Sequence, residues 1–454
     1  MRVLVCGSTG CIGSAVVHAL RARGHRVIEA ARSASDTRTT LHLDFMQPIA
    51  PTVWAERLRA LRIDAVVNCV GMLMPSAGQR FERVHTAGPI ELFRGAALAG
   101  VRKVVQVSAL GVANAAEALA RPYLESKLRA DDALASLPLD WLVLRPSLVY
   151  GPRSQSAALF ALLASLPVIT LPGGGRQQVQ PIHVYEVAEA VACQLERAQG
   201  WRAVCELAGP AAMSYRTMLG AYRGALGLGD ALWLPLPNLL MLAGAWAAEW
   251  LPQRVFCRDT LRLLERGSVP QHNAAPLLLG REPTPLARGL TITAPQPLVD
   301  LRVDLSPALA LMLRASLAVM WIYTAAVSAL LPEHSGVLNL LARCGFPGEA
   351  GVVMLWASCL LNTTLGALVL WRPGPRVYAL QCAAVLGYTL TAALNMPELT
   401  YDHCGPLVKN LPVLALVLLL WCAAPAARRA APGPAARMRH TRPDGAGAAS
   451  TQGV

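Results

Sequence analysis

Val3-Leu4-Val5-Cys6-Gly7-Ser8-Thr9-Gly10-Cys11-Ile12-Gly13, with a helical pattern running on from Ser14 to Arg23, decides how the first half of this chain folds. A short β-branched run that breaks at glycine and restarts as a helix is a strand–turn–helix unit. Gly7 permits the tight turn, Gly10 lets the backbone approach phosphate, and Gly13 lets the helix pack on the strand. The N–H groups of the first helical turn have no partner inside the helix and point at an anion. A dinucleotide is therefore the expected ligand, with its pyrophosphate held over Gly7, Ser8, Thr9, Gly10, Cys11, Ile12 and Gly13.

Outward from that turn, further β-branched runs alternate with Ala/Leu/Arg-rich helical stretches: Val27–Ala31, Ala65–Cys69, Val104–Val107 and Trp141–Leu144. Strands alternating with helices give βαβ units, so the fold class is α/β, a Rossmann-type, doubly wound parallel sheet over residues 1–165. From 166 to 297 Pro and Gly rise and the alternation loosens, which predicts a small substrate lobe. Within it, Leu236 to Leu251 is an apolar helix with Glu249 as its one charge. It is short for a membrane span and reads as a lid or an interfacial helix.

Composition shifts near residue 300. The chain of 454 residues is 54% hydrophobic and 15% charged, too apolar for its surplus to sit in a soluble core alone. Four apolar stretches are of spanning length, Ala308–Leu331, Gly351–Trp371, Val377–Asn395 and Leu407–Ala424, so an all-α four-helix transmembrane bundle is expected over 307–425. Residues 430–454, rich in Ala, Gly, Pro and Arg, read as a disordered basic tail.

Loop charges set the expected orientation. Arg372 and Arg376, and the tail arginines 428, 429, 437, 439 and 442, mark cytoplasmic sides, whereas Glu333, Glu349, Glu398 and Asp402 mark the outward loops. The first apolar run breaks at Gly7 after four residues, unlike a signal peptide, which keeps the N-terminal unit in the cytosol. The expectation is a multi-pass protein of a bacterial-type inner membrane with both termini cytoplasmic. Cys344 and Cys404 fall in outward loops and either pair as a disulfide or remain thiols. The net charge of +13 comes without an aromatic-interleaved basic run, so nucleic acid is not an expected partner, and eleven scattered cysteines without a CxxC pair give no metal site.

The second strand indicates the dinucleotide. An acid at its end would bind the ribose 2′-hydroxyl of NAD, but Ala31 stands there, followed by Arg32, whose guanidinium suits a 2′-phosphate; NADPH is expected over NAD. Asp44 either contacts the adenine or caps its own loop.

These residues resemble the short-chain dehydrogenase/reductase superfamily in its extended and atypical branches, including the group with the NDUFA9-like NAD(P)H-binding subunit of respiratory complex I. The resemblance covers about residues 1 to 290. It rests on Gly7-x-x-Gly10-x-x-Gly13, Val66-Val67-Asn68-Cys69-Val70-Gly71, Val107-Ser108-Ala109, Tyr123-Leu124-Glu125-Ser126-Lys127, Leu144-Arg145-Pro146 through Pro152, and Gln180-Pro181-Ile182-His183-Val184. Tyr123 and Lys127 are i and i+4 on one helix face, where the ammonium would lower the tyrosine pKa and bond ribose hydroxyls while Tyr123 exchanges a proton with a carbonyl or alcohol. Ser108, at a strand's carboxyl end, would bond the substrate oxygen. The extended enzymes commonly carry asparagine where this chain reads Val84-His85-Thr86. Arg145 reads as architectural and His183 as a buried structural histidine.

The membrane half resembles the DoxX-like family of four-helix membrane proteins over about residues 307 to 425, including Gly405-Pro406-Leu407-Val408-Lys409-Asn410. Arg314, Asn362 and Gln381 are polar at membrane depth, either functional or bonding between helices. The architecture implies an NAD(P)H-dependent oxidoreductase working at the lipid bilayer on an apolar carbonyl or quinone-like substrate, with a membrane redox partner. Alternatives are a non-catalytic NADPH-binding assembly or redox-sensing protein and a nucleotide-sugar epimerase-like enzyme.

Overall fold

The computed structural model describes residues 1–74, 78, 80–112, 122–198, 200, 202–248, 258–297, 305–332, 336–401 and 407–423. The chain divides into two compact units, Met1–Val303 and Asp304–Val454. In the first, strands β1 (Arg2–Cys6), β2 (Arg26–Ala31), β3 (Thr40–His42), β4 (Ala65–Asn68), β5 (Lys103–Val107), β6 (Asp140–Pro146) and β7 (Arg202–Leu207) form one sheet in the order β7-β6-β5-β4-β1-β2-β3. Every adjacent pair is parallel, with Leu4 opposite Ile28 on one side and Val66 on the other.

Val3, Leu4, Val5 and Cys6 are all fully buried because helices cover both faces. Val3 and Val5 share one core with Val16 and Leu20 of α1 (Cys11–Ala22) and with Val187 and Val191 of a helix over Val184–Glu196. Leu4 and Cys6 share the other with Trp54 of α2 (Pro51–Ala60) and Leu92 and Phe93 of α3 (Gly88–Ala99). Side chains alternate between strand faces, so a run of consecutive apolar residues feeds two cores at once. The order reverses at β1, which places the ligand crevice beyond Cys6 and Asn68.

Two elements depart from the sequence-based boundaries. β7 pairs with β6, and the Val184–Glu196 helix packs on α1, so residues 184–207 return to the large sheet. The small lobe is thus not one continuous segment over 166–297. Its core joins Ile169 and Leu171 to Tyr215, Tyr222, Leu286 and Leu290. Of the apolar stretch Leu236–Leu251, Leu236 ends a strand, Leu232–Leu236, and Asn238–Ala248 form a helix; residues 249–251 lie outside the described residues.

In the second unit three helices are long and apolar enough to cross a membrane among the described residues: α4 (Pro307–Leu330), α5 (Glu349–Trp371) and α6 (Pro375–Asn395). The fourth expected span is a 14-residue apolar helix, α7 (Asn410–Ala423). It starts late because Leu407–Lys409 form a turn and Pro412, which has no N–H to give, sits in the first helical turn. Residues from 424 onward, including the expected tail, lie outside the described residues. Gly366 lets α4 and α5 approach closely, since a Cβ there would meet Ile322 Cγ1 at 2.8 Å and the Ala318 carbonyl at 3.1 Å.

Asn362 and Gln381 serve as inter-helix bonds. The Tyr388 hydroxyl donates to Asn362 Oδ1 at 3.1 Å, and Gln381 Nε2 donates to the Leu365 carbonyl at 3.3 Å. Arg314 donates to Ala310 of its own helix. An ion pair between Arg343 and Glu398 ties the α4–α5 and α6–α7 connections together at one end of the bundle. Cys404 lies outside the described residues, as does any pairing with Cys344.

Candidate active site

The glycine turn is built as tightly as its sequence requires. Gly7 has φ +77°, which an L side chain rarely adopts, and a Cβ on Gly13 would lie 2.1 Å from the Gly7 carbonyl oxygen. The Gly7 N–H donates to the Ala30 carbonyl at 2.8 Å, fixing the turn on β2, and Gly10 N–H closes it on the Gly7 carbonyl at 3.0 Å. The N-terminus of α1 is thereby presented to the crevice, where the exposed Thr9 and Gly10 and the half-buried Cys11 and Ile12 leave room for a pyrophosphate. Ser8 departs from expectation: it is buried, and its hydroxyl donates to the Ala30 carbonyl at 3.4 Å. It braces the turn from inside because β2 offers it a carbonyl and the crevice lies on the other side.

Arg32 stands exposed immediately after β2, the position from which a side chain reaches the adenosine ribose. Asp44 accepts the Met46 N–H on Oδ1 at 3.0 Å. That bond caps its own loop.

Tyr123, Lys127 and Asp131 repeat every four residues along one face of the helix Pro122–Ala135. Lys127 is buried, and its Nζ donates to the Val107 carbonyl at the end of β5 at 3.1 Å. A Cβ on Gly71, just beyond β4, would lie 3.3 Å from that Nζ, so a larger residue there would make the ammonium give by a few tenths of an ångström. Burial pulls the Lys127 pKa down to about 8, against the pull of Asp131 and Cys69. The expected lowering of the Tyr123 pKa by this ammonium is absent. Burial instead pushes the phenol up to about 12. The lysine is drawn to Val107 and the Asp131 side, one turn beyond the tyrosine.

Ser108 also departs from expectation. It is buried and its hydroxyl donates to Asp131 Oδ2 at 2.8 Å, so its proton is committed to the protein rather than to a substrate oxygen. Asp131 draws it in because a carboxylate 2% exposed needs donors, and Arg145 adds Nε at 3.3 Å and Nη2 at 3.2 Å; all three bonds fall on Oδ2, and Oδ1 is buried without a hydrogen-bond partner. Burial nevertheless raises the Asp131 carboxyl to about 6. Arg145 is thus architectural, as its motif implied. His183 is structural too: Nδ1 caps the Tyr185 N–H and Nε2 bonds Thr293 Oγ1 at 2.8 Å.

His85 is the residue whose part the sequence did not reveal beyond its unusual identity. Its Nε2 accepts the Met72 N–H at 3.0 Å, and its Nδ1 lies 3.0 Å from Ser126 Oγ, which itself donates to the Tyr123 carbonyl. The ring is therefore neutral, protonated on Nδ1. Phe81 stacks on it at 5.1 Å, and Tyr123 meets it edge-on at 5.6 Å. His85 links the loop after β4 to the helix that carries Tyr123 and Lys127. Residues 113–121, which precede that helix, lie outside the described residues.

Comparison with known proteins agrees with this geometry. Residues 3–203 match the model of the NAD dependent epimerase/dehydratase family. The 3-diazoavenalumate denitrifying reductase of a Streptomyces species is 32% identical over 226 residues, 43% of this chain and 72% of that protein. This chain belongs to the NAD dependent epimerase/dehydratase family. Two further proteins are similar over shorter shares. The NADH-ubiquinone oxidoreductase 40 kDa subunit of Neurospora crassa is 25% identical over 196 residues, 41% of this chain and 50% of that subunit. The ceramide reductase of Caulobacter vibrioides is 27% identical over 189 residues, 41% of this chain and 58% of that enzyme. Residues 318–418 match the DoxX-like family. An epimerase/dehydratase-type unit of the NAD(P)-dependent oxidoreductase kind is therefore joined to a DoxX-like helical domain, whose described residues include three helices long and apolar enough to cross a membrane.

Proposed function

We propose that this chain is a membrane-anchored reductase that takes hydride from NADPH to an apolar carbonyl or quinone-like substrate. The observation that carries the reading is the Lys127 ammonium, buried between Val107 and Gly71 one helical turn from Tyr123, at the carboxyl ends of β4 and β5 where such sheets bind ligands. The dinucleotide, when bound, supplies the hydride. Gly7, Gly10 and Gly13 and the α1 N-terminus hold its pyrophosphate, with Thr9, Cys11 and Ile12 lining the turn; Arg32 pairs with the 2′-phosphate; Lys127 bonds the nicotinamide ribose; Tyr123 gives the proton to the substrate oxygen. Ser108 orders Asp131 beneath this set. Residues 307–425 anchor the enzyme with both termini cytoplasmic in a bacterial-type plasma membrane, and a lipid-like substrate is supported by the similarity to a ceramide reductase.

A second reading, a non-catalytic NADPH-binding assembly protein, is favoured by one observation: the Tyr123 phenol is raised rather than activated, and the Ser108 proton is already committed. The similarity to a complex I subunit supports it as well. One experiment separates the two. Detergent-solubilised protein is titrated with NADPH and NADH, wild type against Arg32→Ala, and turnover with a long-chain ketone or quinone is then compared with Tyr123→Phe. The reductase reading expects NADPH binding weakened selectively by Arg32→Ala and turnover lost in Tyr123→Phe; NADPH binding without any Tyr123-dependent turnover favours the assembly reading.

A further inference from the structure

The helix Asn238–Ala248, NLLMLAGAWAA, carries no charged residue. Yet Leu239 is 78% exposed, Leu240 57% and Trp246 53%, and the strand that leads into it exposes Leu232 and Leu234. A surface helix normally puts its polar side to water, and a contiguous exposed apolar patch marks a binding surface. Its position in the fold indicates which kind. Trp233, on the same strand, packs into the small-lobe core with Leu286 and Leu290. These belong to the helix Leu286–Ile292, the last helix of the first unit among the described residues. The chain therefore leaves the first unit from the lobe that bears the patch. Only residues 298–306 separate Pro297 from Pro307, where the first helix of spanning length begins, and nine residues reach at most about 35 Å. The lobe that bears the patch is thus the part of the first unit nearest along the chain to the helices of spanning length.

We propose that the Asn238–Ala248 helix, with the Leu232–Leu236 strand before it, lies in the lipid headgroup–acyl boundary and docks the small lobe on the membrane. The occupant of the patch is the bilayer, not a second copy of the chain or another protein. An aromatic beside leucines suits that depth, where aromatic rings are common at the edge of the acyl region. The lobe that would admit substrate then opens onto lipid, which deepens the apolar-substrate reading and rests on its membrane anchoring.

The test uses the full chain in phosphatidylcholine proteoliposomes, with a photoactivatable benzophenone amino acid in place of Leu240, of Leu360 on α5, or of Leu98 on α3. All three side chains are more than half exposed. Irradiation followed by mass spectrometry identifies lipid adducts. The proposal expects lipid adducts at 240 and 360 and none at 98, with loss of the adduct at 240 when Leu239→Asp and Trp246→Asp are introduced together. Adducts at 360 alone, or cross-links from 240 to a peptide of this chain, overturn it while leaving the membrane reading intact. Lipid adducts at neither 240 nor 360 overturn both, and the two failures are thereby distinguished. Neither readout depends on turnover.

Discussion

Replacing His85 by phenylalanine measures what a neutral, fixed imidazole contributes at the centre of the site. His85 is 1% exposed, and burial together with the Lys127 ammonium pushes its pKa down to about 2. In the unfolded chain the same imidazole takes up its proton near 6.5. Between those values the unfolded state binds more protons than the folded one, so His85 costs stability as pH falls through 6.5. From pH 7 to pH 5 the loss works out to about 2 kcal/mol, and it stays there for any folded pKa well below 5. Asp131, raised to about 6, acts in the opposite direction: the folded state takes its proton first, which returns about 1 kcal/mol over the same interval. Phenylalanine keeps the ring contacts with Phe81 and Tyr123 and removes the titration. It also strips the Met72 N–H of its acceptor, at a cost of about 1–3 kcal/mol at pH 7. His85→Phe should therefore be less stable at pH 7, yet its change between pH 7 and pH 5 should be more favourable than wild type by about 2 kcal/mol. Native-state hydrogen exchange on β1 and β4, followed by mass spectrometry in detergent, reads these free energies from the strands that open last. The same pH 7 to 5 change in both proteins would refute a buried neutral His85.

Two further outcomes follow from the cofactor site. Gly13→Ala places a Cβ 2.1 Å from the Gly7 carbonyl and must force the turn open; at the 1–3 kcal/mol typical of overpacking, NADPH and NADH affinity should both fall about tenfold or more, measured by fluorescence titration with circular dichroism unchanged. Lys127 holds its proton below about pH 8 and loses it above. NADPH affinity should accordingly decline beyond pH 8, whereas Lys127→Met should bind more weakly at pH 7 with no such decline beyond 8.

The buried Ser108–Asp131–Arg145 group bears on how the site keeps its shape. Asp131 joins the end of β5 to β6 through the helix that carries Tyr123 and Lys127. A buried ionic group of this kind holds geometry more than it adds stability, because the desolvation of its charges offsets much of their attraction. The raised Asp131 pKa is the visible part of that cost.

The sequence alone determined the glycine turn, the β–α alternation, the apolar helices after residue 300 and the shared face of Tyr123 and Lys127. Each is a local pattern, set by glycine spacing, by side-chain periodicity or by the length of an apolar run, and needs no knowledge of distant residues. Only the tertiary structure decided that Ser8 faces β2, that Ser108 gives its proton to Asp131, that Lys127 turns to Val107 rather than to Tyr123, and that 202–207 closes the edge of the large sheet. It also decided that His85, an odd residue in a familiar position, joins the β4 loop to the tyrosine helix. In every such case the partner is tens of residues away or on another element. Which donor meets a buried acceptor is fixed by how the helices pack against the sheet, and that packing is not written in any single segment of the chain.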